Sequence, residues 1–453
     1  MSWREALSPI QMARVALVAP AVNGRAMLEE VARSAVVELD LPFAPGDDAE
    51  EIDRVLQTAV VSDPLVGFVA WTPGRELPAL AKRLSPLGAA VVPLRHPAGV
   101  QPPTLLTGVG SSPKMSRTLV DTYGTVPYRD VDPSPLAGVA YVVMFGIMFG
   151  DVGHGAVLLL AGLLLRTGWV KRLDKLKRMW LFVAGAGLAA MVFGVLYGEA
   201  FGPTGLVPVV WLSPLEQPVP LLISAIVFGA GLLAISYLLG TINRVREGGW
   251  GYALYARTGA AGSLLFVAVG LLVLGLVASL EPFVVVAIVL AITALIFIFI
   301  GLFVDAGGHA TGVFQASIEL FDTVIRLGSN VISFARLAAF GLTHAALLTV
   351  VWQGTQAFWT PGWGYLIAVV LFIVGNVLTF ALEALVAGVQ ALRLEYYEIF
   401  SRIFEEEGRP FRPWTPALSV PTVPAAHPES TLNTSESESA GDPASPKPER
   451  SLS

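Results

Sequence analysis

Two arginines, Arg336 and Arg393, lie deep inside two long apolar runs, and they set the chemistry open to this chain. A guanidinium keeps its proton at physiological pH, and one at the centre of a membrane helix costs about 2.5–3.5 kcal/mol on insertion scales. Such residues mark a functional site by default. The first run carries Asp322, Arg336 and His344, and the second carries Glu383, Gln390 and Arg393. At 100° per residue Asp322 and Arg336 fall about 40° apart, and Glu383 and Gln390 about 20° apart. Each helix therefore bears a polar stripe with one arginine. Acids, amides and an imidazole in file suit a hydrated half-channel, in which acids and histidine relay protons while a fixed arginine gives none up. With about 1.5 Å of rise per residue, Asp322 stands some 21 Å to one side of Arg336 and His344 about 12 Å to the other.

The elements that position these residues belong mostly in a bilayer. The chain has 453 residues, 54% hydrophobic and 14% charged, against roughly 25% charged in a soluble domain. With no cysteine, disulfides, thiolate metal sites and cysteine nucleophiles are excluded. The net charge of −6 is partly owed to an acidic tail and says nothing about nucleic acid, so no such partner is expected. No basic stretch followed by a short apolar one opens the chain, and the first segment is expected to stay in the cytoplasm.

Four units follow along the chain. Residues 1–95 read as a cytoplasmic α/β lobe, with strands at Ala13–Pro20, Ala35–Leu39, Val66–Trp71 and Ala89–Leu94 alternating with helices at Arg25–Arg33, Asp48–Val60 and Glu76–Leu84. That pattern suggests a ferredoxin-like layer. Residues 96–135 are a linker rich in Pro, Gly and Ser, and residues 136–404 are a membrane domain. Its apolar runs are Leu136–Leu165, Trp180–Tyr197, Val219–Ile242, Thr258–Leu280, Phe283–Val304, Ile318–Trp352 and Trp363–Phe400. Residues 405–453 leave the membrane through Glu405–Glu407, and from Pro416 they are expected to be disordered.

Charge placement turns seven runs into eight spans. The loop Arg166–Arg178 and the stretch after Ile242 are basic, whereas Gly198–Pro218 and Gly354–Gly362 hold no lysine or arginine, so the former lie inside and the latter outside. Parity then requires Leu136–Leu165 to make two short helices turning at Gly150–Gly155. Both termini are cytoplasmic in this topology. Within the turn, Gly150, Asp151, Gly153, His154 and Gly155 read as a structural motif at the outer surface, with glycines permitting close helix approach. A catalytic His–Asp reading fails, because neither a nucleophile nor a metal-ligand cluster accompanies the pair in sequence. No metal or cofactor is expected.

Three stretches, in order, resemble one family. Phe145–Gly155, Ser333–His344 and Leu382–Leu394, supported by Pro102–Thr104 and Tyr123–Pro133, are similar to the membrane stator subunit of V-type and archaeal-type rotary ATPases, called subunit a or subunit I. The resemblance implies a multi-pass α-helical membrane protein of about eight transmembrane helices, the last two long and tilted against a rotating proteolipid ring. It implies further partners in the peripheral and central stalks, and a place in a prokaryotic cell membrane. Arg336 resembles the family's essential arginine, which faces the ring's ion-binding carboxylate, and Arg393 its partner. Glu383, His344, Asp322 and Gln390 match positions linked to proton passage, Asp322 in the inner file and His344 with Glu383 in the outer. Family members carry a larger cytoplasmic part with a long coiled coil. Here Met12–Asp40 and Val66–Pro93 match the two segments of its membrane-near lobe, and only Leu41–Leu65 lies between them.

No Gly-x-x-x-x-Gly-Lys-Ser/Thr loop occurs, so this chain is not itself an ATPase and the catalytic subunits are other polypeptides. Two further readings stay open. One is a stand-alone proton-coupled secondary transporter, although the internal repeats such proteins show are not found. The other is a non-coupling membrane assembly or interaction protein that keeps the membrane fold but has lost its stalk contacts.

Overall fold

The computed structural model describes residues 8–44, 46, 50–97, 100–106, 115–168, 176–404 and 408–416. The expectations for Lys171, Arg172 and Lys175, for Glu405–Glu407 and for the tail beyond residue 416 lie outside the described residues.

The amino-terminal lobe is built on β1 (Met12–Pro20), whose alternate residues Val15, Leu17 and Ala19 are buried, as one covered face of a strand requires. They pack against Met27, Leu28 and Val31 of α1 (Gly24–Ser34). The chain continues through β2 (Glu38–Leu39), α2 (Glu51–Gln57), β3 (Val60–Ser62), β4 (Leu65–Pro73), α3 (Leu77–Leu84) and β5 (Ala90–Pro93). All pairings are antiparallel in the order β2-β4-β1-β5, with β3 folded back on β4. This is the expected ferredoxin-like layer with one extra hairpin strand. Between β2 and β4 the described residues hold only α2, about 10 Å long, and β3. Among the described residues no long coiled coil lies there.

The linker is less loose than its composition suggests. Within it α4 (Met115–Tyr123) inserts Leu119 and Val120 into the core of the membrane part. The stretch after the last helix also returns to the lobe. Thr104 N donates to Arg409 O at 2.7 Å, Phe411 N to Thr104 O at 3.1 Å and Trp414 N to Val37 O at 2.8 Å. Trp414 completes the lobe core, and Phe411 packs with Met12 and Trp71. Glu38 fastens this strap by accepting from Arg412 N at 2.7 Å and pairing with Arg409 at 2.7 Å. Residues 409–416 are thus part of the folded structure, not a tail.

The membrane part is a multi-pass helical bundle. It comprises α5 (Ser134–Met148), α6 (Val152–Thr167), α7 (Trp180–Tyr197), α8 (Pro218–Tyr255), α9 (Ala260–Val277), α10 (Glu281–Asp305), α11 (Ala310–Ser333), α12 (Ala335–Ala357) and α13 (Trp363–Leu394). Among the described residues six apolar helical stretches are long enough to cross a membrane, with α11 and α12 forming one of them across a break at Phe334, and α5 and α6 are two shorter apolar helices. At about 22 and 24 Å, α5 and α6 fall short of a hydrocarbon core of about 30 Å. Glycines let them pack closely: a Cβ on Gly155 would meet Met191 N at 2.7 Å, and one on Gly187 would meet Leu159 N at 2.4 Å. One core joins α4, α5, α7, α8, α12, α13 and the turn after α13. A second joins α9, α10 and α11.

Candidate functional site

Arg336 sits in the first turn of α12, just after the break at Phe334. Its Nη2 donates to Glu398 Oε1 at 2.9 Å and its Nε to Ser333 O at 3.1 Å. Nη1 is buried without a partner. Glu398 belongs to a π-turn, Glu395–Phe400, that ends α13 and buries Glu395, Glu398, Ile399 and Phe400 together. Such i→i+5 turns occur mostly as local interruptions at functional positions. Arg393 is exposed on α13 and acts electrostatically on both Arg336 and Glu398. The arginine's ion-pair partner within the chain is therefore Glu398. Gln390 stands one turn before Arg393, half-buried, with its Oε1 unpartnered.

Asp322 is not brought to Arg336. It pairs with Arg326 at 2.5 Å on the exposed side of α11, because one helical turn separates the two and a local partner is nearer than a distant one.

A second polar cluster lies further along α12 and earlier on α13, which run antiparallel. His344 Nδ1 hydrogen-bonds Glu383 Oε2, joining the two residues assigned to the outer file. Asp151 and His154 come to the same place. The turn they occupy is buried within the protein: Asp151 is 0% and His154 2% exposed. Asp151 caps α6 by accepting from His154 N at 2.8 Å, and its other oxygen accepts from Gly202 N at 2.9 Å. The His154 ring lies 5.6 Å from that of His344 and against Phe149, Phe201 and Phe380. Glu199, buried at the start of the connection after α7, completes the group, with Asp151, Glu199 and His344 offering ligand atoms within 4.8 Å of one another. Side chains that could hold a metal ion are thus assembled from distant segments, which the local sequence around Asp151 and His154 does not reveal. Tight backbone approach builds the turn, since a Cβ on Gly150 would strike the Tyr197 ring at 2.6 Å and one on Gly153 the Phe201 ring at 2.4 Å.

Sequence reasoning missed Glu398 and Glu199. Glu398 follows Arg393 by five residues at the end of an apolar run, and Glu199 is the sole acid between Trp180 and Leu215. Burial of an acid at the edge of an apolar run is the signal that could have raised both.

The fold defines a multi-pass helical membrane protein with an antiparallel α/β lobe at its front. Residues 61–205 match the V-type ATPase 116 kDa subunit family. Among similar proteins, the A-type ATP synthase subunit I of Pyrococcus horikoshii is 25% identical over 388 residues, covering 83% of this chain and 57% of the relative. That of Methanocaldococcus jannaschii is 26% identical over 421 residues, covering 83% and 58%. The V-type ATP synthase subunit I 2 of Treponema pallidum is 42% identical over 83 residues, 18% of each chain. The family match is confined to residues 61–205, while most of the chain is similar to these archaeal subunits I. The chain spans a little over half the length of these archaeal relatives.

Proposed function

We propose that this protein is the ion-translocating membrane stator subunit of an A/V-type rotary ATPase, carrying protons between two half-channels against a proteolipid ring. The observation that carries this reading is Arg336, a permanent cation inside an apolar bundle, held by Glu398 and separated along α12 from a buried acid–imidazole cluster. ATP hydrolysis or synthesis belongs to other subunits, and central and peripheral stalks complete the machine. The setting is a prokaryotic cell membrane with both termini cytoplasmic.

The chemistry follows from solvation. A ring carboxyl carried through lipid is neutral, and a fixed guanidinium beside it favours the charged form. Passing Arg336, the carboxyl releases its proton into one polar file and regains one from the other. Arg336 cannot carry a proton itself and so blocks a direct leak between the files. Asp151, His154, Glu199, His344 and Glu383 form the outer file. At the other end, Gln390, Glu395 and Glu398 line the approach to Arg336, and Asp322 marks the inner mouth. Exposed apolar residues on the two helices that carry the arginines, among them Leu385 and Val389 of α13, offer the ring a greasy face.

Gentle detergent purification of the tagged chain from its own host, with mass identification of co-purifying polypeptides, tests the assignment. A small apolar proteolipid with one membrane carboxylate, together with nucleotide-binding subunits, is the expected result. Recovery of the chain alone, or with unrelated membrane proteins, would contradict it.

A further inference from the structure

The geometry points to a divalent-metal site of the zinc class formed by Asp151, Glu199 and His344. The three residues come from the α5–α6 turn, the connection after α7 and the middle of α12. All are buried, and their ligand atoms lie within 4.8 Å of one another. Glu383 occupies His344 Nδ1 and leaves Nε2, which is buried and without a hydrogen-bond partner. A carboxylate on the far nitrogen of a ligating histidine fixes its tautomer and raises its basicity. Asp151 is held by two backbone donors, His154 N and Gly202 N, at 2.8 and 2.9 Å. Since an ionised carboxylate offers about four lone-pair positions, it keeps capacity for a metal. Val152 N donates to Glu199 O at 2.9 Å, so the two acid-bearing segments are tied together at the site.

The donor set selects the ion. Two carboxylates and one imidazole neutralise a dication and leave a fourth, water-filled position of a tetrahedral site. Calcium takes six to eight oxygens and magnesium a near-ideal octahedron, whereas imidazole suits zinc and its neighbours. Zinc holds nitrogen and oxygen at about 2.0–2.2 Å, which places neighbouring donors roughly 3.3 Å apart. The side chains need to close by on the order of 1 Å, within the reach of Glu199's rotatable stem. This inference does not depend on ion translocation, because binding alone tests it.

The experiment titrates Zn²⁺ calorimetrically into the detergent-purified full chain made without a histidine tag, and records the visible spectrum after loading with Co²⁺. One zinc per chain is expected, with the intense visible bands of tetrahedral cobalt and a rise in unfolding temperature on zinc addition. Glu199→Gln and His344→Gln each weaken binding at least tenfold and abolish the thermal shift, while His309→Gln, outside the cluster, binds as wild type. Unchanged binding in both cluster variants overturns the proposal, as does a wild type that binds no zinc. Should the cluster variants fail to fold, the wild-type cobalt spectrum decides: tetrahedral bands support the site, and their absence overturns it.

Discussion

Arg336 and Glu398, 62 residues apart in sequence, meet in a 2.9 Å ion pair between the first turn of α12 and the π-turn that ends α13. Glu398 is 6% exposed and Arg336 23% at the side chain, so solvent screens the pair on one side only. The chain supplies its own counter-ion to the cation that would otherwise wait for a partner's carboxylate. In the proposed mechanism the guanidinium exchanges Glu398 for the ring carboxyl.

If Glu398 holds Arg336 in the resting subunit, Glu398→Gln leaves a charged hydrogen bond weakened. Such bonds contribute about 1.5–3 kcal/mol, and partial exposure of the arginine lowers the loss toward the smaller figure. The unfolding temperature of the isolated chain in detergent is expected to fall, and Glu398→Asp should recover part of it. Unchanged stability in Glu398→Gln would show that the pair is idle.

Topology offers a second test. The chain has no cysteine, so single cysteines at Lys177, ahead of α7, and at Gln217, ahead of α8 and exposed, report sidedness without background. Membrane-impermeant maleimide should label Gln217→Cys from outside intact cells and Lys177→Cys only after permeabilisation. Labelling of both from one side would mean that α7 does not cross and would overturn the eight-span topology.

Much of the fold was legible because its signals are local. Val15, Leu17 and Ala19 alternate, the apolar runs have spanning length, and the basic residues after Leu165 forced α5 and α6 into two short helices. His344 and Glu383 were expected together from the helix rise and the family resemblance, and the two side chains hydrogen-bond. What was not legible depends on contacts between distant segments. Trp414 sits in a stretch with no periodicity and becomes core because its N donates to Val37 O, while Glu38 of β2 holds the neighbouring Arg412 N. Glu398 turns inward through a π-turn that no residue spacing announces. The burial of Asp151 and His154 arises from Gly202 and the aromatic rings of Phe149, Phe201 and Phe380, which three separate elements deliver.

The junction between linker and α8 should respond to pH. Asp130 is fully buried, and its neighbour Val131 N donates to Asn243 Oδ1 at 3.0 Å. Burial, and next the Glu247 carboxylate, push the Asp130 carboxyl up to about 8, with Arg244 and Arg246 pulling the other way. An acid raised in the folded state takes up a proton on folding, so its contribution is complete below the unfolded value of about 3.9 and is lost as pH climbs toward 8. The unfolding temperature in detergent should therefore decline between about pH 5 and about pH 9, and Asp130→Asn should flatten the decline. An equal slope in the variant would place the titration elsewhere.

Close packing of α6 on α7 makes a steric forecast. A Cβ on Gly187 would meet Leu159 N at 2.4 Å and Gly155 O at 2.8 Å, both backbone atoms that cannot swing aside. Gly187→Ala should cost about 1–3 kcal/mol, and Gly187→Val should prevent a stable fold, read as loss of monodisperse protein on size exclusion. Gly231→Ala, with open space around it, is the control that should behave as wild type.

Ion pumping into vesicles containing the assembled complex, measured for Arg336 variants alongside co-purification of the ring, tests the proposed mechanism most directly. Arg336→Gln keeps hydrogen bonding but removes the charge, and should assemble normally yet pump nothing. Arg336→Lys, a compact ammonium that can lose its proton when buried, should retain a small residue of transport, and Arg336→Ala none. Wild-type pumping by an assembled Arg336→Gln complex would contradict a fixed-cation mechanism outright.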